Sequence, residues 1–180
     1  MGKQLPGLNA RLMTFISAQK LFFVSTAMET GRINLSPKGM DSFRVLDENT
    51  VIWLNVTGSG NETAAHLLYN DRMTLMFCSF EGPPLILRLY GKAKAYHPRD
   101  QFWADHIGLF PEIPGSRQLV KVAIDLVQTS CGMGVPLMEY KEERGQLETW
   151  AAQLGEDGLR NYQETKNARS LDGLPSGIFE

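Results

Sequence analysis

Two short segments of the chain carry the residue types that bind anions. Residues 32–39 read Arg-Ile-Asn-Leu-Ser-Pro-Lys-Gly, so that Lys38 lies on a turn closed by Gly39. We predict a short β-strand that ends at Ser36-Pro37, because proline cannot donate a hydrogen bond to a sheet ladder. A cation, a hydroxyl and free backbone N–H groups at a strand end can hold an anion. The alternative interpretation is a solvated hairpin turn with an incidental lysine.

The second segment is a glycine-rich turn that leads into a helix. Residues 57–63 read Thr-Gly-Ser-Gly-Asn-Glu-Thr, in which Ser59-x-x-Glu62 has the form of a capping box with Ser59 as the N-cap. A helix start behind glycines is also typical of a phosphate site, although the P-loop and dinucleotide fingerprints are absent. Two interpretations therefore stay open: a structural cap, or a phosphate site in which Lys38 or Arg32 offsets the charge of Glu62.

The other residues with catalytic or metal-binding chemistry form no recognisable set. His66, His97 and His106 lack the spacing of zinc ligands, and no G-x-S-x-G nucleophile motif occurs. Cys78 and Cys131 lie in or beside apolar runs without C-x-x-C spacing, which predicts two buried, reduced thiols. The sequence therefore predicts no metal site, and we assign no catalytic acid, base or nucleophile.

The elements that position the two anion-binding segments are mostly strands. In residues 85–96, Leu87 and Leu89 share one face while Lys92 and Lys94 share the other, which is typical of a half-exposed antiparallel strand. Residue types and periodicity predict strands over 21–28, 33–36, 41–46, 51–56, 73–80, 85–96 and 119–129. Helices are predicted over 6–19, after Ser59, and over 100–110, 142–154 and 155–166. Short turns and the lack of strand–helix alternation favour a mainly β (α+β) fold, an antiparallel barrel decorated by helices.

Length and composition indicate one globular domain. The chain has 180 residues, 43% of them apolar, and we predict a single domain over 1–180 in which 140–180 form a helical C-terminal extension and tail. We expect residues 170–180 to be extended. The net charge of −2 and scattered basic residues argue against nucleic-acid binding. Because neither a secretory signal nor a run of about 20 apolar residues occurs, we predict a cytoplasmic protein with no membrane partner.

The order of these motifs resembles the pyridoxamine 5′-phosphate oxidase-like family, the FMN-binding split β-barrels. The resemblance extends over roughly residues 8–130, and it rests on segments 22–27, 33–39, 58–66, 72–77 and 85–96. It implies a homodimer with FMN at the subunit interface, in which the two anion-binding segments contact the flavin and its phosphate. The cofactor-binding residues that it implies are Arg32, Asn34, Ser36, Lys38, Ser59, Asn61 and Thr63.

Two departures from the family pattern shape the functional prediction. Residues 59–62 are Ser-Gly-Asn-Glu where the vitamin B6 oxidases carry a cationic cluster, and the C-terminal substrate segment of those oxidases is not matched. Pyridoxamine phosphate oxidase activity is therefore not expected. The prediction is an FMN-binding flavoprotein, an oxidoreductase acting on an unidentified small molecule. The alternative is a non-enzymatic ligand-binding split barrel that holds heme, another phosphate-bearing ligand or no cofactor.

Overall fold

The computed structural model describes residues 2–179, and within that range the chain forms a curled antiparallel sheet with helices around it. The strands are β1 (Lys3–Leu5), β2 (Phe22–Thr26), β3 (Asn34–Lys38), β4 (Phe43–Val45), β5 (Thr50–Val56), β6 (Arg72–Cys78), β7 (Ile86–Tyr96) and β8 (Ser116–Ser130). The helices are α1 (Ala10–Ala18), α2 (Glu62–Leu67), α3 (Gln101–His106) and α4 (Gln146–Lys166), with a 3-10 turn at Ile107–Leu109. The predicted mainly β, antiparallel split-barrel architecture is confirmed.

The sheet runs in the order β3-β2-β6-β7-β8-β5-β4, and β1 pairs with the far end of β8. Every pairing is antiparallel, and the longest joins β7 to β8 from Ile86↔Ser130 to Tyr96↔Leu119. This order places β3 at one end of the sheet and β5 near the other, so curling of the sheet can bring the two anion-binding segments together. β1 was not predicted, because three largely exposed residues give no periodic signal.

The core fills the inside of the curled sheet. Trp53, Phe77 and Leu75 are almost completely inaccessible to solvent, and each such side chain stabilises the fold by about 1.5–3 kcal/mol. The predicted alternation of β7 is confirmed, because Leu87 and Leu89 are buried whereas Lys92 and Lys94 are exposed. The packed core fixes β5 and β6, and with them the loop and helix α2 that connect these strands.

The prediction that the strand after residue 32 stops at Ser36-Pro37 is wrong. β3 continues to Lys38, and Pro37 lies opposite Phe23 in the register of β2 and β3. β3 is the terminal strand of the sheet, so only one of its edges is paired and a residue without an N–H is tolerated there. Lys38 is therefore held by a sheet strand and does not lie on a free turn.

The C-terminal region departs from the extended tail that the sequence suggested. α4 contains the predicted break at Gly155, whose φ of 64° is left-handed, but the helix begins only at Gln146. After α4 the chain folds back, and Asn167, Ser176 and Ile178 are buried. None of the helices in the described part of the chain is both long and apolar enough to cross a membrane.

Candidate functional site

A cleft of about 380 Å³ lies between β3, the end of β5 and the glycine loop, residues 57–61. That volume is in the range of small-molecule sites. It is lined by most of the predicted cofactor residues, namely Asn34, Ser36, Lys38, Ser59, Asn61 and Thr63. The two segments singled out from the sequence thus line one cleft. That these residues hold a cofactor stays a prediction.

Arg32 is the predicted cofactor residue that lies outside the cleft. Its backbone N–H donates to Asp172 Oδ2 at 2.8 Å, and its guanidinium forms an ion pair with the same carboxylate. The hydrogen bond from the Arg32 backbone, followed by that from its side chain, holds the pKa of Asp172 below its usual range. Arg32 therefore fastens the segment after α4 to the start of β3.

Lys38 presents a positive charge to the cleft from the end of β3. Its Nζ donates to Asn55 Oδ1 at 3.2 Å and lies 5.3 Å from the centre of the Trp53 ring. Burial, and then the positive charge of Arg117, lower the pKa of Lys38 to about 8. The ammonium form is thus held in a site that disfavours it, and a bound anion would relieve that cost.

Arg117 provides a second cation that the sequence did not reveal. It lies on β8, is only 4% exposed and lines the same cleft. Nη1 donates to Asn167 Oδ1 at 2.6 Å and Nη2 donates to the Gly60 carbonyl at 2.8 Å, whereas the buried Nε has no partner among the described residues. Burial lowers the pKa of Arg117 to about 10. An arginine just before a predicted strand looks like a solvent-facing residue, so no sequence signal identified it.

The two cations have no carboxylate partner in the described part of the chain, where the ion pairs involve other side chains. Lys38 and Arg117 instead donate to neutral amide and carbonyl oxygens, and the Glu62 carboxylate, which also lines the cleft, accepts the Leu171 N–H. A cleft with two partly desolvated cations and several hydroxyls is suited to a phosphate group, which accepts charge-assisted hydrogen bonds.

The predicted capping box at Ser59 and Glu62 is wrong. α2 begins at Glu62 with Asn61 in the N-cap position, and the Asn61 side chain makes no capping hydrogen bond. The Glu62 carboxylate accepts the Leu171 N–H at 3.0 and 3.1 Å, far along the chain. Glu62 therefore binds the C-terminal segment, which sequence-local reasoning could not foresee.

A buried network orients the hydroxyl wall of the cleft. Asn34 Nδ2 donates to Thr26 Oγ1 at 3.2 Å and to Thr63 Oγ1 at 3.1 Å, and its Oδ1 accepts from Ser36 Oγ at 2.8 Å. Thr26 Oγ1 lies 3.1 Å from Nδ1 of His66, which is 1% exposed. His66 thus supports the site from behind, and the network fixes Ser36 and Thr63 on a common wall.

A second hydrogen-bonded chain runs from Lys38 into the protein. Lys38 donates to Asn55 Oδ1, Asn55 Nδ2 donates to Gln118 Oε1 at 2.8 Å, and Gln118 Nε2 lies 3.2 Å from His97 Nε2. A charged lysine donates hydrogen bonds and cannot accept them. Its bond therefore fixes the orientation of both amides and leaves His97 Nε2 as an acceptor. Burial, and then the charge of Arg99, lower the pKa of His97 to about 4.

This arrangement of His97 predicts a loss of stability in weak acid. Between pH 6.5 and about 4 the unfolded chain binds a proton at His97 that the folded chain does not, so the free energy of unfolding falls as pH falls. The contribution is about 1.4 kcal/mol per pH unit. Urea titrations across this range should show a smaller slope for His97→Gln than for wild type. His106→Gln is the matched control, and equal slopes in wild type and His97→Gln would contradict the prediction.

Neither cysteine lines the cleft. Cys78 is buried as predicted, but the prediction for Cys131 is wrong, because this thiol is exposed in the loop directly after β8. Among residues 2–179, no group of three or more His, Cys, Asp or Glu side chains could hold a metal ion. The polar groups of the cleft therefore remain the candidate site.

Comparison with known proteins agrees with this architecture. The family model described as pyridoxamine 5′-phosphate oxidase matches residues 8–131. The pyridoxamine 5′-phosphate oxidase family protein ustO of Aspergillus flavus is 37% identical over 188 aligned positions, which cover 93% of this chain and 75% of ustO.

The chain belongs to the pyridoxamine 5′-phosphate oxidase family.

The resemblance inferred from the motifs is thereby confirmed. Solved structures share the fold of this family member at low identity. HupZ of Group A Streptococcus gives a TM-score of 0.54 at 20% identity, over 68% of this chain and 98% of HupZ. A protein of Mycobacterium smegmatis described as an FAD binding protein gives a TM-score of 0.50 at 15% identity, over 70% of this chain and 97% of that protein. The family match ends at residue 131, so α4 and the segment after it lie outside the matched region.

Proposed function

We propose that this member of the pyridoxamine 5′-phosphate oxidase family is a flavoprotein that binds FMN in the cleft between β3 and the glycine loop. The observation that carries the proposal is the pair of cations, Lys38 and Arg117, which face one cleft without a carboxylate partner in the described chain. Family membership and the FAD-binding description of a structural neighbour support a flavin as the ligand.

The donor set of the cleft fits a phosphate monoester that carries further polar groups. The unpartnered Nε of Arg117 supplies a buried donor, and the unpartnered Oδ1 of Asn61 supplies a buried acceptor. Lys38 and Arg117, with the hydroxyls of Ser36, Ser59 and Thr63, would hold the phosphate. The side-chain oxygens of Asn34 and Asn61 would accept hydrogen bonds from polar groups of the flavin, because the amide N–H groups already donate within the protein. Arg32 forms an ion pair with Asp172, so we assign it no direct contact with FMN.

A bound FMN would supply redox chemistry, which would make this protein an oxidoreductase acting on an unidentified small molecule. The chain's own contribution is to bind and orient the cofactor. The network of Asn34, Ser36 and Thr63 fixes two hydroxyl groups on one wall, and burial of Lys38 and Arg117 strengthens their attraction for a phosphate. No side chain is assigned as a catalytic acid or base.

We further propose a homodimer that covers the outer face of β3. Leu35 in β3 is 65% exposed and Ile33, directly before the strand, is 74% exposed, and both alternate with Asn34 and Ser36, which line the cleft. Burying apolar side chains of this size stabilises an interface by about 1.5–3 kcal/mol each. Light scattering should therefore give twice the mass of one chain, and a monomer at micromolar concentration would contradict this part of the proposal.

We also propose a cytoplasmic location. Cys78 and Cys131 are both free thiols in the structure, as is usual in a reducing compartment. The net charge of −2 and the scattered basic residues of the sequence give no support for a nucleic-acid partner. Fractionation of cells that express the protein would test the location.

The absorbance spectrum of the purified protein, followed by titration with FMN, tests the cofactor assignment. We expect a yellow protein with flavin absorbance, and tighter binding of FMN than of riboflavin, which lacks the phosphate. A Soret band would instead indicate heme and the non-enzymatic alternative. A colourless protein that does not respond to FMN would overturn the flavoprotein proposal. Binding of other phosphate-bearing molecules would then identify the alternative ligand class.

A further inference from the structure

Asn167, the residue directly after α4, contacts three residues of the cleft wall, one on β8 and two in the glycine loop. It is 0% exposed. Its backbone N–H caps the helix by donating to the Gln163 carbonyl at 2.8 Å. Its side chain is directed elsewhere. Oδ1 accepts from Arg117 Nη1 at 2.6 Å, and Nδ2 donates to the Gly58 carbonyl at 2.9 Å. Its carbonyl accepts from Asn61 Nδ2 at 3.3 Å.

These contacts decide how Arg117 meets the cleft. The guanidinium is held on one side by Asn167 Oδ1 and on the other by the Gly60 carbonyl, and its Nε remains unpartnered within residues 2–179. Both of these acceptors are neutral. A carboxylate in the position of the Asn167 amide would still accept from Arg117, but it would cancel the charge of the arginine and could no longer donate to the Gly58 carbonyl.

We propose that Asn167 is a positioning residue that holds Arg117 as an uncompensated cation and ties the glycine loop to it, so that the cleft binds a phosphate group. Asn167 does not line the cleft and acts through Arg117, Gly58 and Asn61. The inference depends on the proposed function only in taking the phosphate to be that of FMN. It extends the site beyond the family match, which ends at residue 131.

An ordinary helix end would not need this arrangement. Capping of α4 uses the backbone N–H of Asn167, whereas its side-chain bonds reach residues 50 and 109 positions away. Ser176 Oγ, on the segment that folds back, donates to the Asn167 carbonyl at 2.6 Å and holds the residue in place. The side chain is thus satisfied entirely by the elements that build the cleft.

The test compares Asn167→Asp with Asn161→Asp, which adds the same charge at an exposed position on α4. FMN and riboflavin are titrated into each variant, and thermal unfolding shows that each is folded. We expect Asn167→Asp to weaken FMN binding by about tenfold or more while riboflavin binding changes little, since a charge-assisted phosphate contact is lost. Asn161→Asp should bind FMN as wild type does. A defect that is merely structural would lower both affinities together.

Asn167→Ala is the second variant, and it tests the role of Asn167 if Asn167→Asp does not fold. Removing the amide frees the guanidinium and the glycine loop, so the preference for FMN over riboflavin should fall here too. An unchanged preference in both variants would overturn the proposal. If wild type binds no flavin, the same variants are compared with inorganic phosphate by thermal shift. A phosphate effect that Asn167→Asp abolishes would then support Asn167 while the flavin assignment fails. No phosphate effect in wild type would overturn both.

Discussion

Replacing Lys38 with methionine should weaken FMN binding by roughly 10- to 150-fold, the effect of losing one charge-assisted hydrogen bond to a phosphate. Methionine has a similar length and an apolar side chain, but it removes the donor and the charge. Riboflavin has no phosphate, so its affinity should change much less. The measurement is a titration with each flavin, in which quenching of the flavin fluorescence reports binding.

Lys94→Met is the matched control for this substitution. The Nζ of Lys94 lies 5.1 Å from the Tyr96 ring centre, an environment like that of Lys38 over Trp53 at 5.3 Å, but Lys94 is exposed on β7 away from the cleft. We expect it to bind FMN as wild type does. Equal FMN affinity in Lys38→Met and wild type would place the phosphate elsewhere and would remove the main support for the assignment.

The second large effect is a loss of FMN affinity as pH rises above about 8, the pKa of Lys38 in the unliganded cleft. Below that pH the lysine is charged and the phosphate dianion binds it directly. Above that pH the free lysine is neutral, and it takes up a proton when FMN binds, because a bound dianion raises the pKa of the lysine. Linkage then predicts uptake of one proton, so the dissociation constant should rise about tenfold per pH unit until the pKa of the complex is reached.

Dissociation constants measured at a series of pH values test this directly. Phosphate monoesters lose their second proton near pH 6, so the charge of the ligand is constant above about pH 7. Lys38→Met should lack the dependence, and Lys38→Arg should retain affinity to higher pH because its guanidinium stays charged. A pH profile that is the same in wild type and Lys38→Met would assign the titration to another group.

Much of the fold could be predicted from the sequence because its signals are local. The alternation of Leu87 and Leu89 with Lys92 and Lys94 identifies β7 without reference to any other strand. The helix break at Gly155 is equally local. By contrast, the continuation of β3 through Pro37 depends on its place at the end of the sheet, which only the order of pairing reveals.

The candidate site was predictable only in part, for a related reason. Lys38 and Ser59 stood out because the residue types of their segments predicted turns that bind an anion. Arg117 becomes part of the cleft only when β8 pairs with β5 and brings it to Gly60, 57 positions away in the chain. Likewise, Glu62 looked like a helix cap because its true partner, Leu171, is 109 positions distant. Long-range contacts of this kind leave no periodic or spacing signal.

The late position of Asn167 in the chain has a consequence for biogenesis. The ribosome delivers every strand of the sheet, through the end of β8 at Ser130, before it delivers Asn167. A nascent chain can therefore close its sheet while Arg117 and the glycine loop still lack the residue that holds them. If the cleft binds FMN as proposed, the cofactor would therefore bind only at the last stage of maturation, and a translation product halted between β8 and Asn167 would have the sheet but an incomplete cleft.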